Sequence, residues 1–208
     1  MRFHINSPFW RFIDTCVRFS ALNALFLISC VPIVTIGPAR SALYGTLFAY
    51  NDHEDLTLWR EYLKRFRAEF VQALASSLLL LVLAVLAVFA MTFWNSLSGG
   101  ASYVVLPVLI VVAAAVALTF EFCNPLQSRY ANSFGNTLRN AAMLPWFSFG
   151  YTLALIVIDI AAAAIFVYAP WLRFLFVLFG CAWIAYVKSL IYLKLFSIVE
   201  QRRAAYAG

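Results

Sequence analysis

Apolar residues along this chain fall into long runs separated by short polar connectors. Four runs reach the roughly 20 apolar residues that a membrane-crossing helix needs: 71–94, 103–122, 143–168 and 171–199. A fifth is 19–36, and a sixth, 38–50, has only 13 residues. At the helical rise the sixth covers about 20 Å, short of a hydrocarbon core of about 30 Å. The pattern predicts an all-α fold: one polytopic transmembrane helix bundle over 1–208, with five full spans and one short returning helix. Ser96-Leu97-Ser98-Gly99-Gly100 reads as an uncharged turn, 124–140 as a polar connector, and Tyr168-Ala169-Pro170 as a tight hairpin whose proline suits the start of the next helix. Trp10, Trp59, Trp94, Trp146 and Trp171 fall near span ends, where an interfacial belt puts tryptophan, while Trp183 lies inside the last span.

Two stretches alternate with helical period instead of running apolar. In 7–18, Ser7-Pro8 forms a helix start; Phe9, Phe12, Ile13 and Cys16 share a face, and Arg11, Asp14 and Arg18 lie elsewhere. This predicts an interfacial helix. In 57–70, TLWREYLKRFRAEF, the residues Trp59, Leu63, Phe66 and Phe70 recur at helical spacing among Arg60, Lys64, Arg65 and Arg67. This predicts a cytoplasmic amphipathic helix lying on an anionic membrane surface; the alternative is a basic extension of the next span, since Val71 follows without a break.

Composition agrees with a membrane protein. The chain is 64% hydrophobic and 12% charged, about half the charge of a soluble domain. Its net charge of +6 is spread between apolar runs rather than gathered in a patch, so it reads as an orientation signal and not as nucleic-acid binding. Segment 57–70 carries four basic residues, 124–140 carries Arg129 and Arg139, and the tail carries Arg202 and Arg203; the turn after span 71–94 carries none. The basic connectors and both termini are therefore expected on the cytoplasmic side. Arg2, Arg11 and Arg18 keep the N-terminus inside as well, so 38–50 must return through the membrane.

The vertex of that return is VPIVTIGPARSALYGTLFAY, with breaks at Pro32, Gly37 and Pro38 around Thr35. Gly37, Ser41, Gly45 and Ala49 form a small-residue stripe at spacing four, which lets another helix approach closely. Leu27-Ile28-Ser29-Cys30 has the form of a lipoprotein cleavage box, but the apolar run continues through it and a second apolar helix follows, so no processing is expected.

The stretch NALFLISCVPIVTIGPARSALYGTLFA resembles the N-terminal signature of the YesL-like family, bacterial integral membrane proteins with a domain of unknown function. The positions that carry the likeness are Asn23, Pro32, Thr35, Gly37, Pro38, Ala39, Ala42, Leu43 and Tyr44. NPLQSRYANSFGNTLRNA, 124–141, is similar to a second family segment, and LWREYLKRFRAEFVQA to its connecting helix. Arg40 stands where the family pattern has a small or hydroxyl residue. The resemblance implies a bacterial cytoplasmic (inner) membrane protein in the company of carbohydrate ABC importers. It implies no catalytic or ligand residues.

No nucleotide-binding loop, dinucleotide fingerprint, zinc-protease motif or nucleophile elbow is present. Cys16, Cys30, Cys123 and Cys181 read as buried, inert residues. The expectation is a non-enzymatic protein with no cofactor and no metal. Charges inside spans are the candidate polar site, because each is costly there. Asp159 lies about 14 Å below the outer hairpin, and Arg40, just inside the other turn, is its expected partner. Glu121, Lys188 and Lys194 lie nearer span ends and read as solvated or snorkelling. Trp59, Arg60, Lys64, Arg65, Arg67, Arg129 and Arg139 form the candidate docking surface. Two roles follow: an accessory or assembly partner of an ABC-type sugar transporter, or a small permease with Arg40 and Asp159 in its pathway. The bilayer is a partner in both; the oligomeric state is left open.

Overall fold

The computed structural model describes residues 8–53, 56–97 and 100–207, and the expected Ser7 cap lies outside them. Among the described residues the protein is helical throughout, without strands. The helices are α1 (Pro8–Ser29), α2 (Ile36–Asp52), α3 (Leu58–Ser96), α4 (Ser102–Arg129), α5 (Phe134–Phe147), α6 (Phe149–Tyr168), the single turn α7 (Arg173–Leu175) and α8 (Cys181–Ala207). Five stretches are long and apolar enough to cross a membrane: Phe12–Ser29, Leu58–Ser96, Ser102–Arg129, Phe149–Tyr168 and Pro170–Arg202. The chain is thus a polytopic helical bundle.

Several boundaries differ from the sequence expectation, each for a local reason. The interfacial helix 7–18 and the first part of 19–36 are one helix, which stops at Ser29 because Pro32 cannot continue the hydrogen-bond ladder. Segment 57–70 is no separate surface helix: α3 runs unbroken over 39 residues, about 58 Å, since nothing between Phe70 and Val71 breaks it. The polar connector 124–140 is mostly helical. Asn124, Gln127 and Ser128 are buried rather than solvated, and Ser76 Oγ lies 3.3 Å from Gln127 Oε1 across the α3–α4 contact. The expected span 143–168 is broken at Ser148, near Pro145, whose missing N–H frees a carbonyl in α5. Segment 171–199 begins in a 3-10 turn, passes through a π-helical turn at Phe176–Gly180, and continues to Ala207.

The short returning helix is the centre of the fold. Residues 37–39 and 41–48 are all buried, enclosed by α1, α3, α4 and α8. The small-residue stripe meets α3: Gly37 lies against Ala73 and Ser77, Ser41 donates to the Glu69 carboxylate, and Gly45 lies against Arg65 and Ser128. Below them Tyr44, Phe122, Tyr192 and Phe196 interlock edge to face and stacked, with centroids 5.5–6.0 Å apart.

This register changes where the short leg sits. It runs beside α3 from Arg65 to Ser77, and so meets only the first residues of the apolar run 71–94. The residues 78–96 of α3 extend about 28 Å past Ser77 and hence past the α1–α2 turn. They form a hairpin with α4 whose outward residues, among them Leu78, Val85, Phe89 and Val104, are exposed and apolar. The α1–α2 turn itself exposes Val31, Ile33 and Val34.

Asn23, fully buried on α1, explains how α1 holds the irregular start of the last helix. Its Nδ2 donates to the Val177 carbonyl at 2.5 Å, and its Oδ1 accepts from the Ala182 N–H at 2.9 Å. The π-helical turn leaves those backbone groups out of register, and one amide side chain satisfies both. Arg173, the basic residue beside the otherwise uncharged hairpin, caps α6: it donates to the carbonyls of Phe166 and Val167 at 2.9 and 3.2 Å.

Candidate functional site: a buried four-charge cluster

Arg40 and Asp159 come together, but through two residues placed between them. Arg40 Nη2 donates to Glu121 Oε2 at 2.7 Å. Lys188 Nζ contacts Glu121 Oε1 and donates to both Asp159 oxygens, at 2.8 and 2.9 Å. The order is Arg40–Glu121–Lys188–Asp159, contributed by α2, α4, α8 and α6. Glu121 and Lys188 were expected to be solvated near span ends. Instead Lys188 is 3% exposed and the Glu121 side chain 14%, because their helices face α2. Lys194 is exposed.

Backbone geometry prepares the centre of the cluster. Pro125 has no N–H, so the Glu121 carbonyl four residues earlier loses its helical partner. The Tyr192 hydroxyl lies 3.2 Å from that carbonyl oxygen and 2.8 Å from Glu121 Oε1. The single O–H of this tyrosine stands between a broken ladder and an ion pair, nearer the carboxylate. The Arg40 guanidinium lies over the Phe120 ring at 4.8 Å and beside Tyr44 at 6.0 Å, a cation–π environment that suits a desolvated guanidinium. Two cations and two carboxylates leave no net charge in the cluster.

The cluster borders a cavity of about 450 Å³ with apolar walls that include Phe26, Phe166 and Phe176. Asp159 is the member facing outward, with its side chain 46% exposed.

The turn motif has a structural role. The Thr35 hydroxyl lies 2.6 Å from the Ser29 carbonyl oxygen and 2.7 Å from that of Pro32, and the Thr35 N–H donates to Pro32 O. The hydroxyl thus lies against the Ser29 carbonyl, orphaned at the end of α1, while the N–H closes the turn that begins at Pro32. Pro38 is the third residue of α2, in the first turn, where no ladder bond is lost. Thr35→Val keeps the shape but removes the donor. It is expected to lower stability by about 1 kcal/mol, read as a lower Tm in mild detergent.

The candidate docking residues separate. Trp59, Arg60, Lys64 and Arg67 are exposed on α3, with the Arg60 guanidinium 5.0 Å from the Trp59 ring. Arg65 turns inward against Gly45 and pairs with Glu61 at 2.9 Å. Arg129 pairs with Asp52 at 3.0 Å, and Arg139 is exposed on α5.

Residues 19–91 match the model of a family described as a protein of unknown function, DUF624. No curated protein matches the chain, and no solved structure does. The matched stretch runs from Phe19 on α1 through α2 and most of α3. It includes Asn23, Thr35, Gly37 and Arg40 and leaves out Glu121, Asp159 and Lys188.

Proposed function

We propose that this chain is a non-enzymatic membrane protein that works as an accessory or assembly partner of a transporter. The carrying observation is the stripe of Trp59, Arg60, Lys64 and Arg67, exposed on one side of α3 just before its apolar run begins at Val71. The self-neutralised charge cluster supports the same reading, because it has the form of a strut that fixes four helices. The YesL-like resemblance makes a carbohydrate ABC importer the partner class to test, and a bacterial inner membrane the location. Photo-crosslinking from a residue substituted at Lys64, in native membranes, followed by mass spectrometry, is expected to recover transporter subunits. Recovery of lipid alone would overturn the reading.

Orientation follows the basic connectors, with the α3 start, α5 and both termini cytoplasmic. A cysteine placed at Arg139 is expected to react with an impermeant thiol reagent only after membranes are opened, and one at Trp171 in sealed cells. The reverse pattern would invert the topology.

A second reading, a small permease, is favoured by the half-exposed Asp159 on the cavity. Under it the purified protein in liposomes takes up solute and Asp159→Asn abolishes uptake. Under the accessory reading the protein alone transports nothing.

A further inference from the structure

The charge cluster has unspent hydrogen-bonding capacity at two of its four members. Glu121 is occupied: Oε1 by Lys188 and Tyr192, Oε2 by Arg40. Lys188 is buried between its two carboxylates. Asp159 is different, since a carboxylate offers about four acceptor sites, Lys188 reaches each oxygen once, and the side chain is 46% exposed. Arg40 is different too, since Glu121 takes one of the guanidinium's N–H donors, through Nη2, and the side chain keeps 18% exposure. Both residues line the same cavity.

A ligand that completes this site must bring N–H donors with positive charge to Asp159 and negative acceptors to Arg40. The cluster is neutral, so a ligand of zero net charge preserves the balance, whereas a lone cation or anion adds an uncompensated charge beside apolar walls. Beyond the four charged residues, Tyr44 and Cys181 the lining is apolar, and Ala162 and Ala163 leave room along α6. The outer face of α6, with Val157, Ile160 and Ile165, is exposed and apolar, as a lipid-facing helix is. We propose that the cavity is a binding site for the headgroup of an ethanolamine phospholipid, its ammonium on Asp159 and its phosphate on Arg40, with the acyl chains leaving along α6. This binding is independent of whether a partner docks on α3.

The test uses the full chain purified in mild detergent, with thermal unfolding and native mass spectrometry as readouts. Dioleoyl phosphatidylethanolamine is expected to raise Tm and to be retained at one molecule per chain. The choline phospholipid lacks N–H donors and the glycerol phospholipid lacks the cation, so each is expected to bind at least tenfold more weakly. Soluble glycerophosphoethanolamine, the same phosphodiester zwitterion without acyl chains, should give no shift at the same concentration, which separates a lipid site from a site for a free zwitterion. Asp159→Asn should abolish the ethanolamine preference. Ala163→Phe, which fills the cavity while keeping all four charged residues, should abolish retention in a protein that still folds. Equal shifts with all three phospholipids, a shift with soluble glycerophosphoethanolamine equal to that of the lipid, or undiminished retention in Ala163→Phe would each overturn the proposal.

Discussion

Glu121→Gln is expected to be the most damaging single substitution in the charge cluster, costing about 3–5 kcal/mol of stability. Glu121 is the one carboxylate touching both cations. Removing its charge leaves Arg40 and Lys188 with only Asp159, and Arg40 then has no carboxylate within reach in a site where its side chain is 18% exposed. The glutamine also replaces one of the two acceptor oxygens with an NH2 donor, so it turns hydrogens toward either Arg40 or the Lys188 and Tyr192 side. Asp159→Asn should cost less, because that carboxylate is half-exposed and the buried Lys188 keeps Glu121. Arg40→Gln should fall between the two. Combining Arg40→Gln with Glu121→Gln restores neutrality, so the double variant should be more stable than the sum of the two losses by about 1–3 kcal/mol. Thermal unfolding in one detergent reads all four. If Asp159→Asn costs as much as Glu121→Gln, the hub of the cluster is not Glu121.

The helical class and the breaks near Pro32 and Tyr168 were legible because they are local: apolar run length and proline act within a few residues. The unbroken join at Phe70–Val71 was not predicted: the helical spacing of Trp59, Leu63, Phe66 and Phe70 suggested a separate surface helix, whereas α3 continues through it. The depth of α2 was not legible either. Hydropathy reports that 38–50 is apolar and short, while its position beside Arg65 and Glu69 depends on which helix the stripe of Gly37, Ser41 and Gly45 packs against. The charge cluster was half legible. Arg40 and Asp159 stand alone in apolar surroundings, and so do Glu121 in LTFEFCNP and Lys188 in AYVKSLIY. One signal could have joined Glu121 to the site: Pro125 frees its backbone carbonyl. Proximity to a span end instead suggested snorkelling, and sequence distance cannot show that both side chains turn toward α2.

Gly37→Ala is the second substitution with a large expected effect, and the reason is backbone proximity. A Cβ at position 37 would lie 1.8 Å from Ser77 Oγ, 2.3 Å from Ser77 Cβ and 2.9 Å from the Ala73 carbonyl oxygen. Rotating Ser77 moves the hydroxyl but neither of the other two atoms, so α2 and α3 must separate. α2 is enclosed on its other sides by α1, α4 and α8 and has little room to yield. Overpacking of this kind costs about 1–3 kcal/mol or more, and alanine's better helix propensity returns at most about 1 kcal/mol. Gly45→Ala should be milder. Its nearest atoms are Arg65 Cδ and Nη1 at 2.9 Å and Ser128 Cβ at 3.3 Å, and the arginine side chain can swing aside if it releases Glu61. Ser77→Gly in the Gly37→Ala background removes two of the three clashing atoms and should recover most of the lost Tm; no recovery would show that the Ala73 carbonyl alone sets the approach. Arg40 lies one turn along α2 from Gly37. A forced separation of α2 and α3 therefore also shifts the guanidinium against Glu121, and the Arg40–Glu121 coupling should shrink in Gly37→Ala and return with Ser77→Gly.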